Sequence, residues 1–232
     1  MSYPDDVEAL QYRGDLLRIG EDYENALLDF EKANQLEPNN PDTLKAIGAT
    51  KRRLKDYKGA LKALEEAYSF SPEDPYILKV RGATKLYLGN LKGALEDLNL
   101  ADEFSPGDPF TMQYKGQVKR ELGMLSESIA DLDIATQLMP TDYYSLMQRG
   151  ETKRAQGNLK AALVDLNRAV SLSDNHPDTL RSRAAIKELL KDLKGQQEDL
   201  SLAIEQEKKQ ELYKEERRDW KKKLQSMSNN KA

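Results

Sequence analysis

One interval limits what this chain can fold into. Gly14, Gly48, Gly82, Gly116 and Gly150 follow one another at 34 residues, and their surroundings recur with them. Residues 81–104, RGATKLYLGNLKGALEDLNLADEF, and 149–172, RGETKRAQGNLKAALVDLNRAVSL, are near copies. The second reads as two short helices joined at Gly157-Asn158, each with an apolar stripe. One helical hairpin cannot bury its apolar face alone, so such units stack on their neighbours into a solenoid. Composition agrees: 33% charged and only 7% aromatic residues spread the apolar surface thin, as a narrow core requires.

The register divides the chain into a lead-in of residues 1–6 and six units: 7–40, 41–74, 75–108, 109–142, 143–176 and 177–210. The fourth position of each is apolar: Leu10, Leu44, Leu78, Met112, Leu146 and Leu180. The eighth is glycine, then Ala184 in the last unit. Position twenty is Ala26, Ala60, Ala94, Ser128 and Ala162, then Gln196. Position twenty-four is Phe30, Leu64, Leu98, Leu132, Leu166 and Leu200, and position twenty-seven is always alanine. Pro38, Pro72, Pro106 and Pro140 close four of the units. Asn40-Pro41, Asp74-Pro75 and Asp108-Pro109 each set a capping side chain before a proline at the first helical position. Asp5 or Asp6 can cap the first helix, and His176-Pro177 is a weaker junction of the same kind.

Small residues at eight and twenty, alanine at twenty-seven and proline at thirty-two resemble the tetratricopeptide repeat (TPR) over roughly residues 7–205. The resemblance implies an all-α fold: a right-handed superhelical solenoid of six helix-turn-helix repeats. The sixth unit has lost its small residue at twenty and its closing proline, which marks it as the last. From Gly195 onward no glycine or proline interrupts the chain, so its second helix is expected to continue as a long charged capping helix over 205–225. Glu205 and Lys209 are spaced as helical partners there, and Leu212, Tyr213, Trp220 and Leu224 form a sparse stripe. That helix either caps the array or docks a partner or a second copy. Residues 226–232, SMSNNKA, are expected to be disordered.

The chain departs from the family at two positions that are usually aliphatic or tyrosine. Position seven is Arg13, Ile47, Arg81, Lys115, Arg149 and Arg183, and position eleven is lysine from the second unit on. On the facing helix, position twenty-three is Asp29, Ala63, Asp97, Asp131, Asp165 and Asp199. Base and acid vanish together in the second unit. An internal ladder is therefore expected, in which the base at seven pairs with the aspartate of its own hairpin.

Nothing in the sequence assembles a catalytic site. There is no cysteine, which removes disulfides, thiolate metal sites and a thiol nucleophile, and the single histidine, His176, sits in a turn before proline. Carboxylates fall on exposed faces or opposite bases, and neither a phosphate-binding loop nor a calcium loop is present. No catalytic residue, metal ligand or cofactor is expected. A net charge of −4 argues against nucleic acid as a partner. No secretory leader opens MSYPDDVEAL and no stretch reaches membrane-spanning length, so a cytoplasmic protein is expected.

By the resemblance, the first helix of each repeat lines a concave groove through positions two, five, nine, twelve and thirteen. Position two then supplies Tyr76, Phe110 and Tyr144, with Tyr87 and Tyr114 nearby. Arg52, Arg120 and Arg154, with Lys45 and Lys79, add donors suited to carboxylates. The implied function is a non-catalytic scaffold or adaptor that binds a peptide with acidic and apolar side chains. The aromatics are either that interface or packing against the neighbouring hairpin. The rival function is self-assembly as a homodimer through the groove or the C-terminal helix. The clamp that holds the C-terminal carboxylate of heat-shock chaperones is not matched. Lys45 is in place, but Ala49, Val80, Phe110 and Tyr114 stand where its other polar residues belong.

Overall fold

The computed structural model describes residues 6–229. Twelve α-helices and no strand occur among them: α1 (Val7–Ile19), α2 (Tyr23–Leu36), α3 (Pro41–Arg53), α4 (Tyr57–Phe70), α5 (Pro75–Tyr87), α6 (Leu91–Phe104), α7 (Pro109–Glu121), α8 (Leu125–Leu138), α9 (Tyr143–Ala155), α10 (Leu159–Leu172), α11 (Pro177–Leu189) and α12 (Leu193–Asn229). Contacts divide the chain into two units, one ending at Ala135 and one beginning at Thr136. In the first, α1 packs on α2, α3 on α4 and α5 on α6, and each hairpin stacks on the next. In the second, α9 packs on α10 and α11 on α12 in the same way.

Helix starts follow from their caps. Asp6 accepts the backbone N–H groups of Glu8 and Ala9, Asn40 those of Asp42 and Thr43, and Asp74 those of Tyr76 and Ile77. Pro41, Pro75 and Pro109 stand at positions whose N–H has no helical acceptor, so their missing donor costs nothing. His176 caps α11 through Nδ1, which accepts from the Asp178 N–H, and its ring stacks on Tyr143 at 5.7 Å. It is therefore a structural residue of this junction and not a loosely solvated one.

The first five hairpins each close on a contact that only glycine permits. A Cβ on Gly82 would lie 2.8 Å from Leu98 Cγ and 3.1 Å from the Ala94 carbonyl, and one on Gly116 would lie 2.5 Å from Leu132 Cγ. Without it, the large residue at position twenty-four drops onto the bare backbone of the first helix: Leu98, Leu132 and Leu166 are completely buried. Where Ala184 replaces the glycine, Leu200 is 39% exposed. Ser128, the odd residue in the alanine column, donates its hydroxyl to the Gly116 carbonyl at 2.7 Å, which satisfies it inside the crossing.

The ion pairs form, with one exchange of partners. Arg13–Asp29, Arg81–Asp97, Arg149–Asp165 and Arg183–Asp199 are two-pronged, each with both nitrogen–oxygen distances between 2.5 and 2.9 Å. Lys85, Lys153 and Lys187 add a second cation to the same carboxylates at 2.7–2.9 Å. In the fourth hairpin the expected Lys115–Asp131 pair does not form. Lys115 turns back to Asp102 on α6 at 2.8 Å, and Lys119 takes Asp131 at 2.7 Å. The flexible ammonium reaches the acid of the preceding hairpin, whereas the planar guanidinium elsewhere is held by the fit of its fork to one carboxylate. Burial works against the Arg81 charge, but Asp97 and Tyr68 outweigh it and hold the guanidinium above its ordinary value.

α12 runs unbroken from Leu193 to Asn229, so residues 226–229 of the expected disordered tail belong to its last turn, while 230–232 lie outside the described residues. Ala203 is its last buried side chain among those described. Beyond it Arg181 reaches across to Glu207 at 2.5 Å, Lys209 pairs with Glu205, and Leu212 and Tyr213 are exposed. The side chains of Trp220 and Leu224 lie outside the described ones.

Asp97 holds two cations at near-complete burial, so Asp97→Ala strands both and is expected to cost about 3 kcal/mol. The same change at its exposed neighbour Glu96 is expected to cost less than about 0.5 kcal/mol. Urea unfolding of the two variants checks this, and equal midpoints would refute a stabilising role for the pair.

Candidate interaction face

In the first unit, α3, α5 and α7 lie side by side and present positions two and five of their repeats along one edge. Tyr76 and Phe110 stand in the first turns of α5 and α7 because the Asp-Pro junctions fix where those turns begin. They are 37% and 50% exposed. Lys45 on α3 lies 5.9 Å from the centre of the Tyr76 ring, Lys79 on the same helix as Tyr76 lies 5.5 Å from it, and Lys79 is 5.6 Å from the Phe110 ring on α7. The result is an alternating row of ammonium and ring, each cation near an aromatic ring.

The lysines are not idle donors. Lys45 pairs with Asp42 at 2.6 Å and with the cap residue Asp74 at 3.0 Å, and Lys79 pairs with the cap residue Asp108 at 3.1 Å. Each cap carboxylate thus serves two tasks, satisfying the helix start and tying it to the preceding repeat. Asp74 and Asp108 belong to this face although sequence reasoning assigned them only to capping. The signal was available: lysine at position five and aspartate at thirty-four of the same repeat stand 29 residues apart in both cases.

The other expected residues fall into separate places. Arg52 donates to the Tyr114 hydroxyl at 3.1 Å and lies 5.8 Å from that ring, joining α3 to α7. Tyr87 at the end of α5 stacks on Tyr57 at the start of α4 at 4.9 Å, and so stands apart from the Tyr76–Phe110 row at the other end of the first helices. Arg120 bonds to Glu121 at 2.9 Å. In the second unit, Tyr144 is half-buried at the start of α9, and Arg154 near its end is held by Glu151 at 2.7 Å. Behind the row the floor is small, with Ala49 and Ala83 buried.

Among the described residues no group of three or more His, Cys, Asp or Glu is placed to hold a metal ion, and no helix is long and apolar enough to cross a membrane.

The sequence matches no protein-family model and no curated protein. Solved structures do match. YrrB, a TPR protein with an unusual peptide-binding site, is 23% identical over 78% of this chain and 93% of its own, with a TM-score of 0.58. A thermophilic TPR protein of Thermus thermophilus is 21% identical over 78% of this chain and 98% of its own, with a TM-score of 0.67. PilW, a type IV pilus biogenesis factor, is 19% identical over 83% of this chain and 90% of its own, with a TM-score of 0.74. The fold is that of the tetratricopeptide repeat. In this chain the lysine–cap pairs add a link between successive repeats that the apolar columns do not provide.

Burial pushes the Asp74 and Asp108 carboxyls up, but hydrogen bonds from the helix start and the lysine opposite each outweigh it and hold both below the usual value. A carboxyl depressed in the folded state adds stability that is complete above its unfolded pKa, about 4, and drains away as pH falls through the folded one. Asp74→Asn and Asp108→Asn preserve the cap, as Asn40 does naturally, and remove the charge. The double variant is expected to lose about 1 kcal/mol at pH 7, a figure kept low by partial exposure of the pairs, and to lose less than wild type between pH 5 and 2. Urea midpoints across that range measure it, and parallel curves would refute the assignment.

Proposed function

We propose that this protein is a non-catalytic scaffold or adaptor that holds a segment of a protein partner against the first-helix face. The observation that carries the reading is the exposed pair of rings, Tyr76 between Lys45 and Lys79 and Phe110 beside Lys79. Rings held by a rigid helical frame offer large contact area at little entropic cost, which is why aromatic residues concentrate at interfaces. An apolar side chain of the partner would lie between the two rings, and an acidic one would share Lys79 with Asp108. Lys45, Arg52 and Tyr114 would extend the face within the first unit, and Tyr144 and Arg154 would offer a corresponding patch on the second. YrrB, with its peptide-binding site, supports the general reading without locating the site here.

A second reading, homodimerisation through α12, has its own support in the exposed Leu212 and Tyr213 beyond the last buried residue described on that helix. Light scattering over a concentration series separates the two, since self-assembly raises the mass with concentration and peptide capture does not.

Replacing the exposed Tyr76 and Phe110 together by alanine is expected to leave helical content unchanged and to abolish capture of partners from lysate. Tyr144→Ala, which cuts into the packing of the second unit, is expected to lower the melting temperature as well. Identical partner lists for wild type and variant would move the interaction away from this face.

A further inference from the structure

The ladder of bases has one empty rung, and the emptiness has a shape. In the third, fourth and fifth hairpins the base at position seven reaches back to position twenty-eight of the hairpin before it, and in the sixth Arg183 reaches Asn167, three residues earlier in the register. Arg81 lies 3.6 Å over the Tyr68 ring, Lys115 bonds to Asp102 at 2.8 Å, and Arg149 donates to Thr136 Oγ1 at 2.8 Å. In the second hairpin the corresponding residues are Ile47 and Asn34. Isoleucine has no donor to offer, and the Asn34 Oδ1 is buried with no hydrogen-bond partner among the described residues. Ala63 replaces the aspartate as well, so side-chain bulk is missing from both walls.

What remains is a surface cavity of about 290 Å³ between α2 and α4. Leu44, Ile47 and Ala63 give it an apolar floor, and Asn34, Glu31 and Glu66 add acceptors. Lys51 pairs with Glu31 of the preceding hairpin at 3.0 Å. Glu66 has no ion-pair partner among the described residues, and Lys62 on the rim is exposed. The lining is balanced in charge, so selectivity must come from shape and from the unsatisfied acceptor. A stranded buried oxygen favours any occupant that supplies a donor.

We propose that this cavity receives an arginine side chain presented by a protein partner, in the place that the chain's own base fills in other hairpins. The occupant must have an apolar stem for the floor and several donors at its tip. A guanidinium suits this lining because it would donate both to the Glu66 carboxylate and to Asn34 Oδ1, as Arg149 donates to Thr136 and Asp165 together. None of the lining residues belongs to the aromatic row, so this site and that face stand or fall separately.

The test is a nuclear magnetic resonance titration of the full chain with the capped tripeptides Ac-Gly-Arg-Gly-NH2, Ac-Gly-Lys-Gly-NH2 and Ac-Gly-citrulline-Gly-NH2. The arginine peptide is expected to shift the Asn34 side-chain amide and the Gly59 backbone amide saturably, with a dissociation constant on the order of millimolar. The other two peptides are expected to bind about tenfold more weakly or worse. The double variant Ile47→Arg, Ala63→Asp rebuilds the rung, so it should fill the cavity, raise the melting temperature and abolish the shifts. If it does not fold, Asn34→Leu removes the acceptor alone and should weaken the arginine peptide about tenfold. Shifts that fail to saturate, equal binding of the lysine or citrulline peptide, or binding that survives in the folded variant would each overturn the assignment.

Discussion

Stacking of near-identical hairpins depends on the two helices of every hairpin meeting at the same height, and the close approach at position eight enforces this. Gly82 beneath Leu98 and Gly116 beneath Leu132 admit one axial position, because a slide of one residue would bring a Cβ against the leucine. The two-pronged Arg–Asp pairs act on the same coordinate from a different direction. A fork matched to a carboxylate tolerates little axial displacement, so Arg81–Asp97 and Arg149–Asp165 reinforce a register that packing already selects. Such pairs add little net stability over well-packed apolar residues. Their contribution here is to make one alignment better than its neighbours.

Charge is used differently at the two junctions. Within a hairpin, position seven and position twenty-three meet through guanidinium and carboxylate at high burial. Between hairpins, two of the contacts run through half-buried lysines to the cap of the next first helix, Lys45 to Asp74 and Lys79 to Asp108. The latter place cations beside Tyr76 and Phe110, so stacking of the repeats and preparation of the candidate face rest on the same four charged residues. Lysine suits that double use, since its ammonium can stay bonded to a carboxylate while lying near a ring.

Much of the fold was legible because it is periodic. Columns of alanine, glycine and leucine at one interval, with Asn-Pro and Asp-Pro junctions between them, define helices and their crossings with no tertiary information. The base–acid ladder was legible for a related reason: Ile47 and Ala63 break the pattern together. The exchange at Lys115 was not, because Asp102 and Asp131 are both acids in reach and only the packed geometry selects one. The candidate face was legible in its residue types but not in its pairing. Lys45 and Lys79 read as open donors, since their partners lie 29 residues away on a neighbouring hairpin. The cavity at Asn34 was not legible, because a void leaves no residue to read.

The turns inside the hairpins carry one more difference. At the left-handed position Gly89, Gly123 and Gly157 serve three hairpins, while Glu21, Lys55 and Lys191 hold the same conformation in the others. A side chain there costs roughly 1 kcal/mol that glycine does not incur. The molecule is therefore graded in its readiness to open: hairpins turning on Glu21, Lys55 and Lys191 start nearer to fraying than those turning on glycine. Amide protons of α1–α4 and α11 should accordingly exchange with solvent sooner than those of α5 and α6, so that the repeats differ in lifetime although they scarcely differ in shape.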